Sequence, residues 1–145
     1  SHAERGIHLF VFGHRVFGTR HSSLKPSRFA SRQALEASQA VARLSQLDEE
    51  NVLFVQQHPD AVDAGVFHND VIAVGNENVF LYHEQAFVQT ARVITDLQRR
   101  FAEMHSGAKL IPIKVRASDV SLAARPASRN RFSCKRNLMS FNCLI

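Results

Sequence analysis

Apolar and polar positions along this chain switch between a period of two and a period near 3.6, and the switch points divide it into elements. "GIHLFVFG" (Gly6 to Gly13) is a short apolar run of branched and aromatic residues between glycines, which predicts a strand. "HRVFGTRHSSLKPS" follows, with Gly18, paired serines and Pro26, and reads as a loop. From Ser27 onward, "SRFASRQALEASQAVARLSQLDEE" sets Ala30, Ala34, Ala37, Val41 and Leu44 at helical spacing. That predicts a helix of several turns whose Ala-rich face packs closely on a sheet.

"NVLFVQQ" (Asn51 to Gln57) predicts a second strand, and "HPDAVDAG" behind it supplies turn residues. "DVIAV" and "NVFLYH" flank "GNE", a connection of the kind that closes hairpins. Phe87, Ala91, Ile94, Leu97, Phe101 and Met104 then recur on one helical face, with Arg92, Asp96, Arg99, Arg100 and Glu103 opposite. "HSGA" ends that helix, and "KLIPIKV" is a last strand in which Pro112 favours an edge or a bulge. Strand, helix, strand, hairpin, helix, strand is a mixed α/β order, not a string of simple β-α-β crossovers.

Composition adds a boundary. The 145 residues are 45% hydrophobic and 21% charged, as expected for one soluble globular domain. No apolar run is long enough to cross a bilayer and "SHAERGIHLF" has no signal pattern, so no membrane partner and a cytoplasmic location are expected. All 13 acids and 13 of the 18 Lys plus Arg lie in residues 1–122, so the net charge of +5 belongs wholly to residues 123–145. This tail has no acid and no sustained period, and the expectation is an ordered part, 1–122, followed by an unstructured basic tail, 123–145. A shifted reading frame would give such an ending. Phe132 and Phe141 could stack on bases, but nothing sets the basic groups on one face, so nucleic acid is not the expected partner. Cys134 and Cys143 have neither metal-ligand nor redox spacing.

Three groups of residues could carry chemistry. His68, Asn69 and Asp70 stand together where a loop feeds a strand: a histidine exchanges protons near neutral pH, and a carboxylate can orient it or hold a cation. The plainer reading is a turn, with Asn69 and Asp70 bonded to backbone and His68 a loop residue, and on spacing alone it leads. Arg28 and Arg32, with Lys25 nearby, could grip a carboxylate or could simply be hydrated. His83 and Glu84 resemble an acid/base pair, but are read as capping the helix that begins near Phe87. No phosphate-binding glycine loop, H-E-x-x-H or G-x-S-x-G is present.

The stretch "KPSRFASRQALEASQAVARLSQLDEENVLFVQQHPDAVDAGVFHNDVIAVGNENVFLYHEQAF" closely resembles the middle of the N-succinylarginine dihydrolase family, guanidine-hydrolysing enzymes of arginine catabolism. The likeness runs from about Gly6 to about Leu122, and "GVFHNDVIAV" and "HEQAF" are among its most specific parts. The family is similar to the arginine deiminases and amidinotransferases. The resemblance therefore implies a fragment of a five-bladed α/β propeller, here about one and a half β-β-α-β units. Such a piece is expected to expose apolar strand surface and to associate.

The chemistry implied is attack of a cysteine thiolate on a guanidinium carbon, with a histidine moving protons, and with no metal or organic cofactor. N2-succinylarginine would become N2-succinylornithine, two ammonia and carbon dioxide. His68 matches the catalytic acid/base, Asp70 a position contacting the guanidinium, and Arg32 a position pairing with a substrate carboxylate. The family's nucleophilic cysteine and an acidic partner fall outside the likeness, so this chain alone is expected to be inactive, and the full-length enzyme is expected as a homo-oligomer. Two alternatives stand beside this: a non-catalytic basic module acting through its tail, and a relative that acts on another guanidine.

Overall fold

The computed structural model describes residues 5–17 and 25–122 together with the short strand Asn142–Leu144. β1 (His8–Phe12) is apolar without alternation because both of its faces are covered. Leu9 enters a large buried cluster with Val55, Phe80 and Leu97, while Phe10 enters a smaller one with Ala42 and Val52. α1 (Leu35–Leu44) then returns the chain to β2 (Val52–Gln56), which pairs parallel to β1 with Leu9 opposite Leu53 and Phe10 opposite Phe54. A five-residue helix, α2 (Pro59–Asp63), follows at once.

The second sheet begins with the hairpin of β3 (Ala73–Asn76) and β4 (Val79–His83). α3 (Thr90–Met104) then crosses to β5 (Ile111–Val115), which runs parallel to β4, so the strand order is β3-β4-β5. Ile111 donates its amide to the Asn78 carbonyl (2.7 Å), which turns the alternate position, Pro112, toward the open edge where its missing N–H costs nothing. Val93, Ile94, Leu97 and Phe101 of α3 share the large cluster with Phe80 and Tyr82 of β4, covering one face. Across the other face Val74, Leu81 and Ile113 stand in one cross-strand row, 46%, 43% and 47% exposed, the apolar surface expected of a piece of a larger assembly.

Mixed α/β architecture is therefore observed, and four local expectations are corrected. The helix expected from Ser27 begins only at Leu35, because the Gln33 carbonyl and the Leu35 amide, which a helix through them would use, pair with Gly13 and His14 at the end of β1. Its buried residues are Leu35, Ser38 and Ala42, so Val41 and Leu44 of the expected face point outward, Leu44 84% exposed. "HPDAVDAG" is a helix in place of a turn, started by His58, whose ring accepts from the Asp60 amide, and by Pro59 in the first helical position. The hairpin closes through Glu77 and Asn78, with Glu77 at φ 52°, one step beyond Gly75.

The expected tail lies outside the described residues except for β6 (Asn142–Leu144). Against the expectation of no structure there, β6 pairs antiparallel with β1, Leu9 opposite Cys143, and the sheet order is β2-β1-β6. No helix among the described residues is long and apolar enough to cross a membrane.

Candidate functional site

Two loops meet beyond the C-terminal ends of β1 and β2. The first, residues 25–34, bends at 27–29 and is tied at its far end to the end of β1: Gly13 donates to the Gln33 carbonyl (2.8 Å), Leu35 donates to the His14 carbonyl (2.9 Å), and His14 bridges Ala34 in parallel. Its fit is tight. A Cβ on Gly13 would come within 2.1 Å of the Ser31 Cβ, so only glycine lets this loop lie against β1. The Ser31 hydroxyl is also hydrogen-bonded to His14 Nδ1 at 2.7 Å.

The second loop leaves α2 by a left-handed turn. Gly65 (φ 90°) donates to the Val62 carbonyl, and Val66 donates to the Ala61 carbonyl, the double bond of a helix end that reverses the chain. Gln57, 7% exposed, then donates its side-chain amide to the Val66 carbonyl (2.9 Å). His68 follows, and a 3-10 turn over Asn69–Val71 leads into β3.

Asp63, the last residue of α2, joins the two loops. One carboxylate oxygen accepts from the Ser27 amide and hydroxyl (both 2.8 Å), the other from the amides of Arg28 (2.7 Å) and Phe29 (3.1 Å). The Ser27 amide first, then the Arg28 amide and the Ser27 hydroxyl, hold its pKa down at about 2. The rings of Phe29 and Phe67 add an edge-on contact at 5.3 Å between the same loops.

The result is that Arg32 Nη1 donates to His68 Nε2 at 2.5 Å, across 36 positions of sequence. The same Nη1 lies 3.4 Å from His68 Nδ1, so one guanidinium nitrogen, which can only donate, faces both ring nitrogens. The other guanidinium donors make no hydrogen bond among the described residues, and their planar fork suits a carboxylate. Asp70, two residues on, is exposed and has no hydrogen bond or ion pair among the described residues. Asn69 keeps a buried side-chain oxygen without a donor among the described residues.

Arg28, the other candidate cation, lies over the Phe29 ring (5.0 Å). His83 and Glu84 do not cap α3, whose N-cap is Gln89 without a side-chain bond. His83 Nε2 donates to the Val120 carbonyl (2.8 Å), its Nδ1 accepts from the Gln85 amide (3.1 Å), and Glu84 accepts from the Ala117 amide (2.8 Å). Both residues fasten the segment after β5. Asp63, Gly13 and Gln57 escaped the sequence reading because their partners are distant. One signal was present: a carboxylate at a helix C-terminus gains nothing from the helix dipole and so points to a tertiary partner. No group of three or more His, Cys, Asp or Glu among the described residues could hold a metal ion.

Similar proteins include the N-succinylarginine dihydrolase of Shewanella sediminis, 54% identical over 107 residues, which are 72% of this chain and 24% of that protein. That of Idiomarina loihiensis is 54% identical over 103 residues (71% and 23%), and that of Chromohalobacter salexigens 50% over 122 (84% and 26%). The chain spans about a quarter of the length of these curated relatives. The family model for succinylarginine dihydrolase matches residues 1–128, a stretch that contains Arg32, His68 and Asp70. With that match over most of its length, the chain belongs to the succinylarginine dihydrolase family.

Proposed function

We propose that the protein to which this chain contributes hydrolyses N2-succinylarginine, consuming two waters and yielding N2-succinylornithine, two ammonia and carbon dioxide. The observation that carries the reading is the contact of Arg32 with His68, two residues far apart in sequence that the fold of a family member brings to one spot. His68 serves as the acid/base, taking the proton of the nucleophile or of water and returning it to departing ammonia. Arg32 forms a fork on a substrate carboxylate, and Asp70, exposed and unpaired among the described residues, receives the guanidinium.

Residues 1–128 contain no cysteine, so the thiolate this chemistry needs comes from outside the matched stretch, and the chain by itself is inactive. In the same reading β3-β4-α3-β5 is one β-β-α-β unit, and β1-α1-β2 is part of another, of a five-bladed propeller. The supporting features are the three-strand order and the pairing of an antiparallel hairpin with a parallel crossover. An active site on a blade end would then be completed by segments this chain does not carry.

The test is ammonia release from N-succinylarginine by this chain alone and by the chain completed with the missing regions of a close relative. Turnover only in the completed protein, abolished by His68→Ala, is expected. A completed, folded protein that releases no ammonia would refute the reading, and ammonia from free arginine at the same rate would remove the carboxylate role from Arg32.

A further inference from the structure

We infer that Asp63 is a positioning residue: its carboxylate holds the 27–29 backbone and thereby sets Arg32 on His68. Three successive amides and one hydroxyl converge on the two carboxylate oxygens, at 2.7 to 3.1 Å. Successive amides turned toward one point make an anion-binding nest, and here the anion is the protein's own. The amides of 27–29 would be unpaired donors even in a helix starting there, so the carboxylate satisfies them without excluding one; the pairing of the Gln33 carbonyl and the Leu35 amide with Gly13 and His14 is what delays α1 to Leu35.

The consequence reaches the site along short covalent paths. On one side the clamp sits at the end of α2, five residues before His68; on the other it sits three residues before Arg32. Gly13, Gln33 and the Ser31–His14 pair fix the far end of the 25–34 loop, so Arg32 is carried between two anchors. Without the carboxylate the near anchor is gone, and the Phe29–Phe67 contact is left to hold the loops in register beside the Arg32–His68 pair itself. The importance of this for turnover rests on the function proposed above, but the geometry can be tested without turnover.

Diethyl pyrocarbonate acylates unprotonated imidazole nitrogen, and His68 Nε2 is covered by Arg32. His83, with both ring nitrogens bonded and only 4% exposed, reports whether the fold is intact. Acylation of each histidine is followed by peptide mass spectrometry in this chain and in Asp63→Ala, Asp63→Asn, Arg32→Ala and Asp63→Ala/Arg32→Ala. Loss of a charge-assisted hydrogen bond predicts that Asp63→Ala and Arg32→Ala each speed His68 acylation about tenfold, that the double variant adds little, and that His83 stays unreactive.

Asp63→Asn keeps one acceptor oxygen and is expected between wild type and Asp63→Ala. It decides the matter where Asp63→Ala lets His83 react. A fast His68 in Arg32→Ala with a wild-type rate in Asp63→Asn and Asp63→Ala would overturn the inference, as would additive effects in the double variant. Failure of ammonia release in the completed protein would remove the proposed function and leave this result standing.

Discussion

His68 and His83 lie at the two ends of one hairpin and are used in opposite ways. His83 ends β4 inside the core, and its ring gives one nitrogen to a carbonyl and the other to an amide. Both of those partners are backbone groups. His68 precedes β3, is exposed, and among the described residues is bonded to a side chain brought in from a distant loop. A ring held by backbone on both nitrogens is pinned in place, whereas one that faces an exposed side chain can exchange that partner for another. The motif alone separates them poorly, since each has an acid within two positions in sequence. Their partners separate them well.

The widest test of that contrast exchanges the two losses. His68→Ala in the completed enzyme should lower kcat about 10²- to 10⁴-fold, as removal of a general acid/base does. The same change should move the urea midpoint by no more than about 0.5 kcal/mol in free energy, since no buried group loses a partner. His83→Ala should do the reverse: about 1–3 kcal/mol less stable, because the Val120 carbonyl and Gln85 amide are left unpaired, with kcat per folded molecule kept. An active His68→Ala protein, or a His83→Ala protein of wild-type stability, would erase the distinction.

A smaller effect sharpens the side of the contrast that holds His68. Gly13→Ala places a methyl group 2.1 Å from the Ser31 Cβ, so the loop must lift away from β1 and carry Arg32 with it. Forced repacking of this kind costs about 1–3 kcal/mol. Displacement of a substrate-gripping residue should raise KM for N-succinylarginine by about tenfold or more while kcat changes less. Steady-state kinetics with a parallel urea titration separates the two. Unchanged KM would show that the seating of the loop on β1 does not govern Arg32.

What could be read in the sequence follows the distance over which each cause acts. β1, β2, the hairpin, α3 and β5 were legible because their burial patterns repeat within a few residues, and Pro112 announced an open edge by its missing N–H. α1 was misread at its start because Ala30, Ala34 and Ala37 have the right propensity, while the pairing that keeps the chain before Leu35 out of a helix comes from Gly13 and His14, 20 and 21 positions away. Its face was misread because Leu35, Ser38 and Ala42 form a second stripe, and β1 and β2 select the one with the smaller side chains. His68, Arg32 and Asp70 were named through family likeness. That Arg32 would touch His68, and that Asp70 would bond to neither among the described residues, was not legible from spacing.

The smallest effect is one of pH, and it acts on the two histidine regions unequally. Asp63 has its folded pKa lowered from 3.8 to about 2, chiefly by the Ser27 amide. A depressed folded value means that the unfolded chain binds the proton more readily. The clamp's stabilisation is therefore complete above the unfolded value, near 4, and is lost as pH falls through about 2. Titration of the Asp63 carboxyl carbon by NMR should give a midpoint near 2, with the amide signals of Ser27, Arg28 and Phe29 moving in step. The amides of Gln85 and Ala117, bound to His83 and Glu84, should not follow that midpoint. In Asp63→Asn the stability curve should lose its slope between pH 4 and 2 that belongs to this group, and the three loop amides should no longer titrate together. A carboxyl midpoint at the ordinary 3.8 would mean that the nest is not closed in solution, and Arg32 would then lack the anchor that distinguishes His68 from a loop histidine of no consequence.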